Sequence, residues 1–319
     1  MKLWFDTDPG VDDALALALI LACPEIELVG VSTVFGNASV AQTTSNARRL
    51  LRLMGHPAIP VHAGAAAPLL GASRFAPEVH GGDGLGGLAA GLPEPSQPLQ
   101  ALPAAAAIIA ASHQHAQLHL APVGPLTNIA EALRLDPSLP ERVASVTVMG
   151  GAFGLQGHNG NVTPAAEANI HNDARAAAEV FSAPWRQLRL VGLEATHSVP
   201  LSPQQLQALK GAGAVGHLLW QAVQPYTEFY FQCYGKRMLV AHDATAIAAL
   251  LLPQAFQWRR GPVRVVEGGL AHGQTLQDWQ GLGDASWRAQ PPHEAATATD
   301  AEAIAQLCLR AWTSFPKET

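Results

Sequence analysis

Residues 5–17 read FDTDPGVDDALAL. Asp6, Asp8, Asp12 and Asp13 put four carboxylates into eight positions, straight after a short apolar run and before an Ala/Leu-rich one. The flanking patterns predict a strand, a tight turn and a helix. Pro9 starts a turn, Gly10 permits backbone that other residues resist, and acids at the helix start meet the positive end of its dipole. That dipole accounts for Asp12 and Asp13 but not for Asp8, which the turn brings to the same place. Three carboxylates at one point repel, and acids are costly to bury unpaired. A hard cation bound through oxygen, calcium or magnesium, resolves the repulsion.

The same alternation continues outward from this unit. Apolar β-type runs at 2–6, 27–34, 59–63, 118–122, 145–149 and 187–192 alternate with helical patterns at 12–22, 40–54, 103–112, 127–135 and 173–181. Gly55 stands where a C-cap glycine belongs, and Ser202-Pro203 reads as a helix start. Asp243 opens a further helix. VRVVEGG and TLQDW resemble an antiparallel pair, EAATAT one more strand, and Asp300 the cap of a terminal helix. The expected fold is α/β: an open, mostly parallel sheet flanked by helices, with a small antiparallel β addition near the C-terminus. No linker or repeat divides the chain, so residues 1–319 are read as a single domain; 64–103, rich in Gly, Pro and Ala, is read as long surface loop.

Composition narrows the function classes. Apolar residues make up 48% of the 319 and charged residues 14%, which supports a large core and excludes a disordered chain. The net charge of −6 disfavours nucleic acid and anionic membrane as partners. No apolar run approaches the ~20 residues of a membrane span. Cys23, Cys233 and Cys308 form no CxxC pair, and no secretion signal precedes Asp6, so a cytoplasmic location is expected.

Ligands of open parallel sheets bind outside the carboxyl ends of the strands. Asp6 and Asp8, Gly36-Asn37, the 124–128 run GPLTN and Met149-Gly150-Gly151 all follow predicted strands there. The Asp6-Thr7-Asp8 spacing also matches the DxD of haloacid dehalogenase-type phosphatases. Those enzymes usually continue with Gly-Thr rather than Pro-Gly and two more aspartates, which disfavours that reading.

The first block, DTDPGVDDALAL, resembles the signature of the inosine–uridine-preferring nucleoside hydrolase family. VFGN at 34–37, HGGDG at 80–84, PLTNIAEAL at 125–133, VMGGAF at 148–153, AEANIHND at 166–173, VGLEATH at 191–197 and AHDATAIA at 241–248 continue the likeness in the family's order. The resemblance implies hydrolysis of the N-glycosidic bond of ribonucleosides, with one Ca²⁺ in the pocket. It implies Asp8, Asp13 and Asp243 as metal ligands, joined by the backbone carbonyl of Thr127. It further implies Asp8 as the base, Asn37 aiming the water, and Asp12 accepting from the 2′-hydroxyl. Glu167, Asn161 and Asn169 would hold the 5′- and 3′-hydroxyls. Met149 and His80 would lie near the ribose or base, and Tyr226 and Tyr230, one helical turn apart, would border the base.

His242 matches a family subgroup with histidine before the aspartate, and an ordinary histidine pKa would suit it to protonate the leaving base. His113, His115 and His119 have metal-like spacing but fall on the opposite rim, as a solvated connection. The sequence departs from the family at Ala168, where an aromatic is common, at Glu194, where Asp is usual, and at Ala174, where proline is frequent. Two alternatives stay open: a hydrolase of another ribosyl compound, admitted by Ala168, and a ribose- or nucleoside-binding protein without turnover. The implied partner is a small ribonucleoside, and the implied assembly a homodimer or homotetramer.

Overall fold

In a computed structural model describing residues 1–316, the first strand, β1 (Lys2–Thr7), sits near the middle of a nine-stranded sheet. Its alternation sends Leu3 and Phe5 into one core and Trp4 into the other, so both faces are covered. The remaining strands of this sheet are β2 (Glu27–Thr33), β3 (Val61–Ala63), β4 (Leu118–Pro122), β5 (Val143–Met149), β6 (Leu188–Val191), β9 (Phe256–Val265), β10 (Thr275–Gln277) and β11 (Pro292–Thr299). Two short strands, β7 (Pro200–Leu201) and β8 (Leu239–Val240), form a separate antiparallel pair.

The strand order is β10-β9-β11-β6-β5-β4-β1-β2-β3. From β3 through β11 neighbouring strands are parallel, whereas β9 runs antiparallel to both β11 and β10. The antiparallel addition expected from the sequence is therefore present as a continuation of the main sheet. The order reverses at β1, with β2 on one side and β4 on the other. Asp6 is paired with Ser32 and with Pro122, so the carboxyl ends of the three strands share one rim. That reversal is where a parallel sheet opens a crevice for ligand.

The helices follow from their patterns. Beyond Asp12 and Asp13 in its first turn, helix α1 (Val11–Ala22) is apolar all round, with Val11 to Ile20 buried, and so lies inside the protein. Packed against it are α7 (His242–Leu251) and α8 (Ala301–Thr313), whose Trp312 donates to the Leu15 carbonyl at 2.8 Å. Helix α2 (Val40–Leu53) ends before Gly55 at φ +83°, as its sequence requires. On the other face lie α3 (Ala104–Gln114), α4 (Thr127–Leu135) and α5 (Ala174–Ser182). Helix α6 (Gly213–Tyr234) crosses above the rim, and Asp300 caps α8 through the Ala303 N–H at 3.1 Å. Segment 64–103 departs from a plain surface loop. It contains helical turns at Pro77–His80 and Ala89–Gly91 and lends residues 74–80 to the cleft.

Candidate active site

The turn after β1 is organised by Asp13. Its Oδ1 accepts from the Thr7 hydroxyl and from the Asp8 N–H at 3.2 Å, and its Oδ2 from the Gly10 N–H at 2.8 Å and Asn37 Nδ2 at 2.9 Å. Asp8 Oδ2 accepts the Asn37 N–H at 2.7 Å. The Asp8 carboxylate fills a notch between two glycines. A Cβ at Gly36 would stand 2.0 Å from Oδ2, and one at Gly124 would stand 2.6 Å from Oδ1. Asp243, in the first turn of α7, joins from the far end of the chain. Carboxylate oxygens of Asp12, Asp13 and Asp243 lie within 4.8 Å of one another.

Burial, and then the charge of Asp13, pushes the Asp8 and Asp12 carboxyls well above the usual range. Burial does the same to Asp243, reinforced by Asp12, Asp13 and Asp8. Among the described residues no lysine or arginine pairs with any of these four acids. A buried group of like charges without a counter-charge is poised for a cation, and the all-oxygen donor set suits a hard divalent one. Thr127 opens α4 beside this cluster and is fully buried, its hydroxyl donating to Asp173 at 2.8 Å.

The acids form the floor of a cleft of about 190 Å³. Of the residues expected at the site, all but Asp13 and Thr127 line it. One wall carries Asn161, Glu167, Asn169 and Met149. Glu167 caps a short helix (Ala168–Asn172), with its carboxylate accepting the Asn169 N–H at 2.8 Å, Gly151 N–H at 3.0 Å and Ile170 N–H at 3.1 Å. Asn169 Nδ2 donates to the Val123 carbonyl at 2.7 Å and the Met149 carbonyl at 3.2 Å. Asn161 Oδ1 accepts the Ala168 N–H at 2.9 Å, so the polar wall is fixed before any ligand arrives.

The opposite wall is aromatic. The protein's three tyrosines, Tyr226, Tyr230 and Tyr234, repeat every four residues along α6 and stack at centroid separations of 5.1 and 5.5 Å. Tyr226 spends its hydroxyl on the Val240 carbonyl at 2.9 Å, whereas the Tyr230 hydroxyl reaches His242 Nε2 at 2.7 Å. His242 Nδ1 lies 2.8 Å from the Thr196 hydroxyl, and His197 packs on the ring at 5.3 Å. Here the structure corrects the sequence expectation. His242 is not an ordinary histidine: burial, helped by His197, His80 and His158, lowers its pKa far below the usual value and keeps it neutral. His80 is likewise buried, with its pKa lowered to about 3. Its Nδ1 accepts the Val11 N–H at 3.2 Å, so its 3.8 Å approach to Asp12 is no ion pair.

Several contributors were not singled out from sequence: Arg74, Phe75, Tyr234 and Thr196. Tyr234 carried a signal, because it extends the four-residue tyrosine spacing. His113, His115 and His119 do not gather. They contact Asp136, Lys2 and Ser145 respectively, on the opposite rim as expected.

Comparison with known proteins agrees with this geometry. A family model described as inosine-uridine preferring nucleoside hydrolase matches residues 3–306. The chain is 37% identical to a probable uridine nucleosidase 1 of Oryza sativa subsp. japonica, covering 91% of this chain and 88% of that protein. It is 36% identical to an inosine-uridine preferring nucleoside hydrolase of Leishmania major, covering 88% of each. A solved plant nucleoside hydrolase superposes with a TM-score of 0.92 at 32% identity, over 98% of this chain and 99% of that one. With the acidic floor, the amide wall and the Tyr/His wall in place, the chain belongs to the inosine-uridine preferring nucleoside hydrolases and is an enzyme that hydrolyses the N-glycosidic bond of ribonucleosides.

Proposed function

We propose that this hydrolysis depends on Ca²⁺ held by Asp8, Asp13 and Asp243 with the Thr127 carbonyl. The observation that carries the proposal is the set of four buried carboxylates with no lysine or arginine partner among the described residues. Calcium takes six to eight oxygens at low geometric cost, which leaves positions for a water and the ribose diol. When bound, such an ion supplies positive charge that polarises water and fixes the diol.

The residues divide the remaining work. Asp8, aimed by Asn37, takes the proton of the water whose oxygen bonds to C1′. The C1′–N bond breaks with its electron pair going to the base. Asp12 accepts from the 2′-hydroxyl, and Glu167, Asn161 and Asn169 hold the 3′- and 5′-hydroxyls beside Met149. These carboxylates and amides stabilise the electron-poor sugar of the transition state. The base lies against Tyr226, Tyr230 and His80. His242 is neutral in the free cleft, but negative charge growing on the departing base favours the charged ring, which takes its second proton from solvent, and offsets the burial effect. The base then leaves with a proton through the Tyr230–His242 pair.

The diol seat, the aromatic wall and the polar wall correspond to the three chemically distinct parts of a ribonucleoside: the 2′,3′-diol, the base and the 5′-hydroxymethyl. The uridine nucleosidase and inosine-uridine preferring relatives favour a substrate range that includes uridine or inosine. Base release from uridine, inosine, cytidine and adenosine, assayed with calcium and with chelator, tests both substrate and ion. Unchanged rates after exhaustive chelation overturn the calcium proposal.

We further read residues 1–319 as one domain, since one sheet takes strands from residue 2 to residue 299. A homodimer or homotetramer is expected, to be checked by light scattering. No helix among the described residues is long and apolar enough to cross a membrane. Three unpaired cysteines support a reducing compartment, the cytoplasm.

A further inference from the structure

The segment over the mouth of the cleft has no part in these assignments. Asn172 clamps the backbone of Arg74 in both directions, accepting its N–H at 3.0 Å and donating to its carbonyl at 3.1 Å. Two residues on, the Ala76 N–H donates to the Asn37 carbonyl at 3.3 Å. Residues 74–76 thus bridge the cleft from the polar wall to the loop that aims the water. Arg74 lines the cleft in that bridge.

The guanidinium is largely uncommitted. Its one hydrogen bond, from Nη1 to the Val162 carbonyl, is long at 3.4 Å, and no carboxylate pairs with it among the described residues. An arginine has five N–H donors, so most remain free. Val162 adjoins Asn161, so this charge sits on the polar wall. Glu167 makes that wall rich in acceptor, and its carboxylate already accepts three backbone N–H groups. A substrate hydroxyl can donate there, and of its two lone pairs Asn161 Nδ2 can meet one, which leaves the other for a further donor. Ala168, also lining the cleft, leaves room for such an approach.

We propose that Arg74 is a specificity-determining residue that donates to the oxygen on C5′ of the ribosyl substrate, so that the bridge over the cleft reads the 5′ end. This rests on the hydrolase reading and on the orientation that places the diol at the acids and the base at the tyrosines. A site built to hydrogen-bond a hydroxyl rejects an analogue lacking it, because its polar groups are left unpaired.

The test compares kcat/KM for uridine and 5′-deoxyuridine, and for inosine and 5′-deoxyinosine, in the calcium-loaded full chain and in Arg74→Gln and Arg74→Lys. The wild type should prefer the 5′-hydroxyl by about tenfold or more. Arg74→Gln should lose most of that preference by slowing the hydroxylated substrates while leaving the deoxy ones nearly unchanged, and Arg74→Lys should keep part of it. Matched melting curves would show that Arg74→Gln is folded. Equal losses on both members of a pair, or no loss on either, overturn the role of Arg74 and leave the hydrolase reading intact. Failure of the wild type to release base from any of the four overturns that reading, and Arg74's role with it.

Discussion

The Tyr230 hydroxyl stands 2.7 Å from Nε2 of His242, and the Thr196 hydroxyl stands 2.8 Å from the ring's other nitrogen. Both nitrogens are therefore committed before substrate binds, so the ring is oriented and tied to α6 through Tyr230. His242→Ala should lower kcat on uridine or inosine by ~10²-fold or more, the usual worth of a positioned acid. The loss on p-nitrophenyl riboside, whose leaving group needs little protonation, should be far smaller. Tyr230→Phe should reproduce the same pattern at reduced size. Equal losses on both substrate types would show that neither residue assists the leaving group.

Asp8 occupies a slot that only glycine neighbours leave open. Asp8→Asn should reduce hydrolysis by ~10³-fold or more, since the amide cannot take the water's proton. Gly36→Ala attacks the same group from outside, because the new methyl would overlap Asp8 Oδ2 at 2.0 Å. We expect a stability cost of about 1–3 kcal/mol from overpacking and an activity loss out of proportion to it. Near-normal turnover in either variant would remove Asp8 as the base.

Metal removal should be visible without any substrate. An ion that binds only the folded chain stabilises it by about 2.7 kcal/mol at a hundred times its dissociation constant. Adding calcium to chelator-treated protein should therefore raise the melting temperature by several degrees, and Asp243→Ala should abolish the rise. A melting curve indifferent to calcium would end the metal assignment.

How far the sequence went is clearest at these residues. The run from Asp6 to Asp13 is legible because one local turn makes the cluster, and Asp243 joined it through a block that resembles the family. The rim was legible too, since β1, β2, β4 and β5 are short apolar runs each followed by a polar turn. Arg74 was not, because segment 64–103 has no periodicity to place it and its clamp, Asn172, lies 98 positions away. The neutral state of His242 was equally hidden. It follows from burial and from His197, His80 and His158, which only the tertiary fold assembles. The antiparallel strands were found, yet their attachment through β11 to β6 depends on pairing that strand patterns do not encode.

Glu194, the residue standing where the family usually has aspartate, offers a last test of how the polar wall is held. Its Oε1 accepts the Phe153 N–H and, at 3.3 Å, the Leu155 N–H, at the start of the loop that ends in Asn161. Its Oε2 is buried without a hydrogen-bond partner among the described residues, and burial raises its carboxyl above the usual range. Its worth therefore lies in the acceptor at Oε1 and in a reach that aspartate, one methylene shorter, lacks. Glu194→Gln keeps both and should leave kcat/KM within about threefold. Glu194→Ala strands two N–H groups, costing about 2 kcal/mol or more, and, on the proposed role of Asn161 at the ribose rather than at the reacting atoms, should raise KM more than it lowers kcat. Glu194→Asp should fall between. If glutamine proved as harmful as alanine, the charge on Glu194 rather than its hold on the loop would be what the site requires.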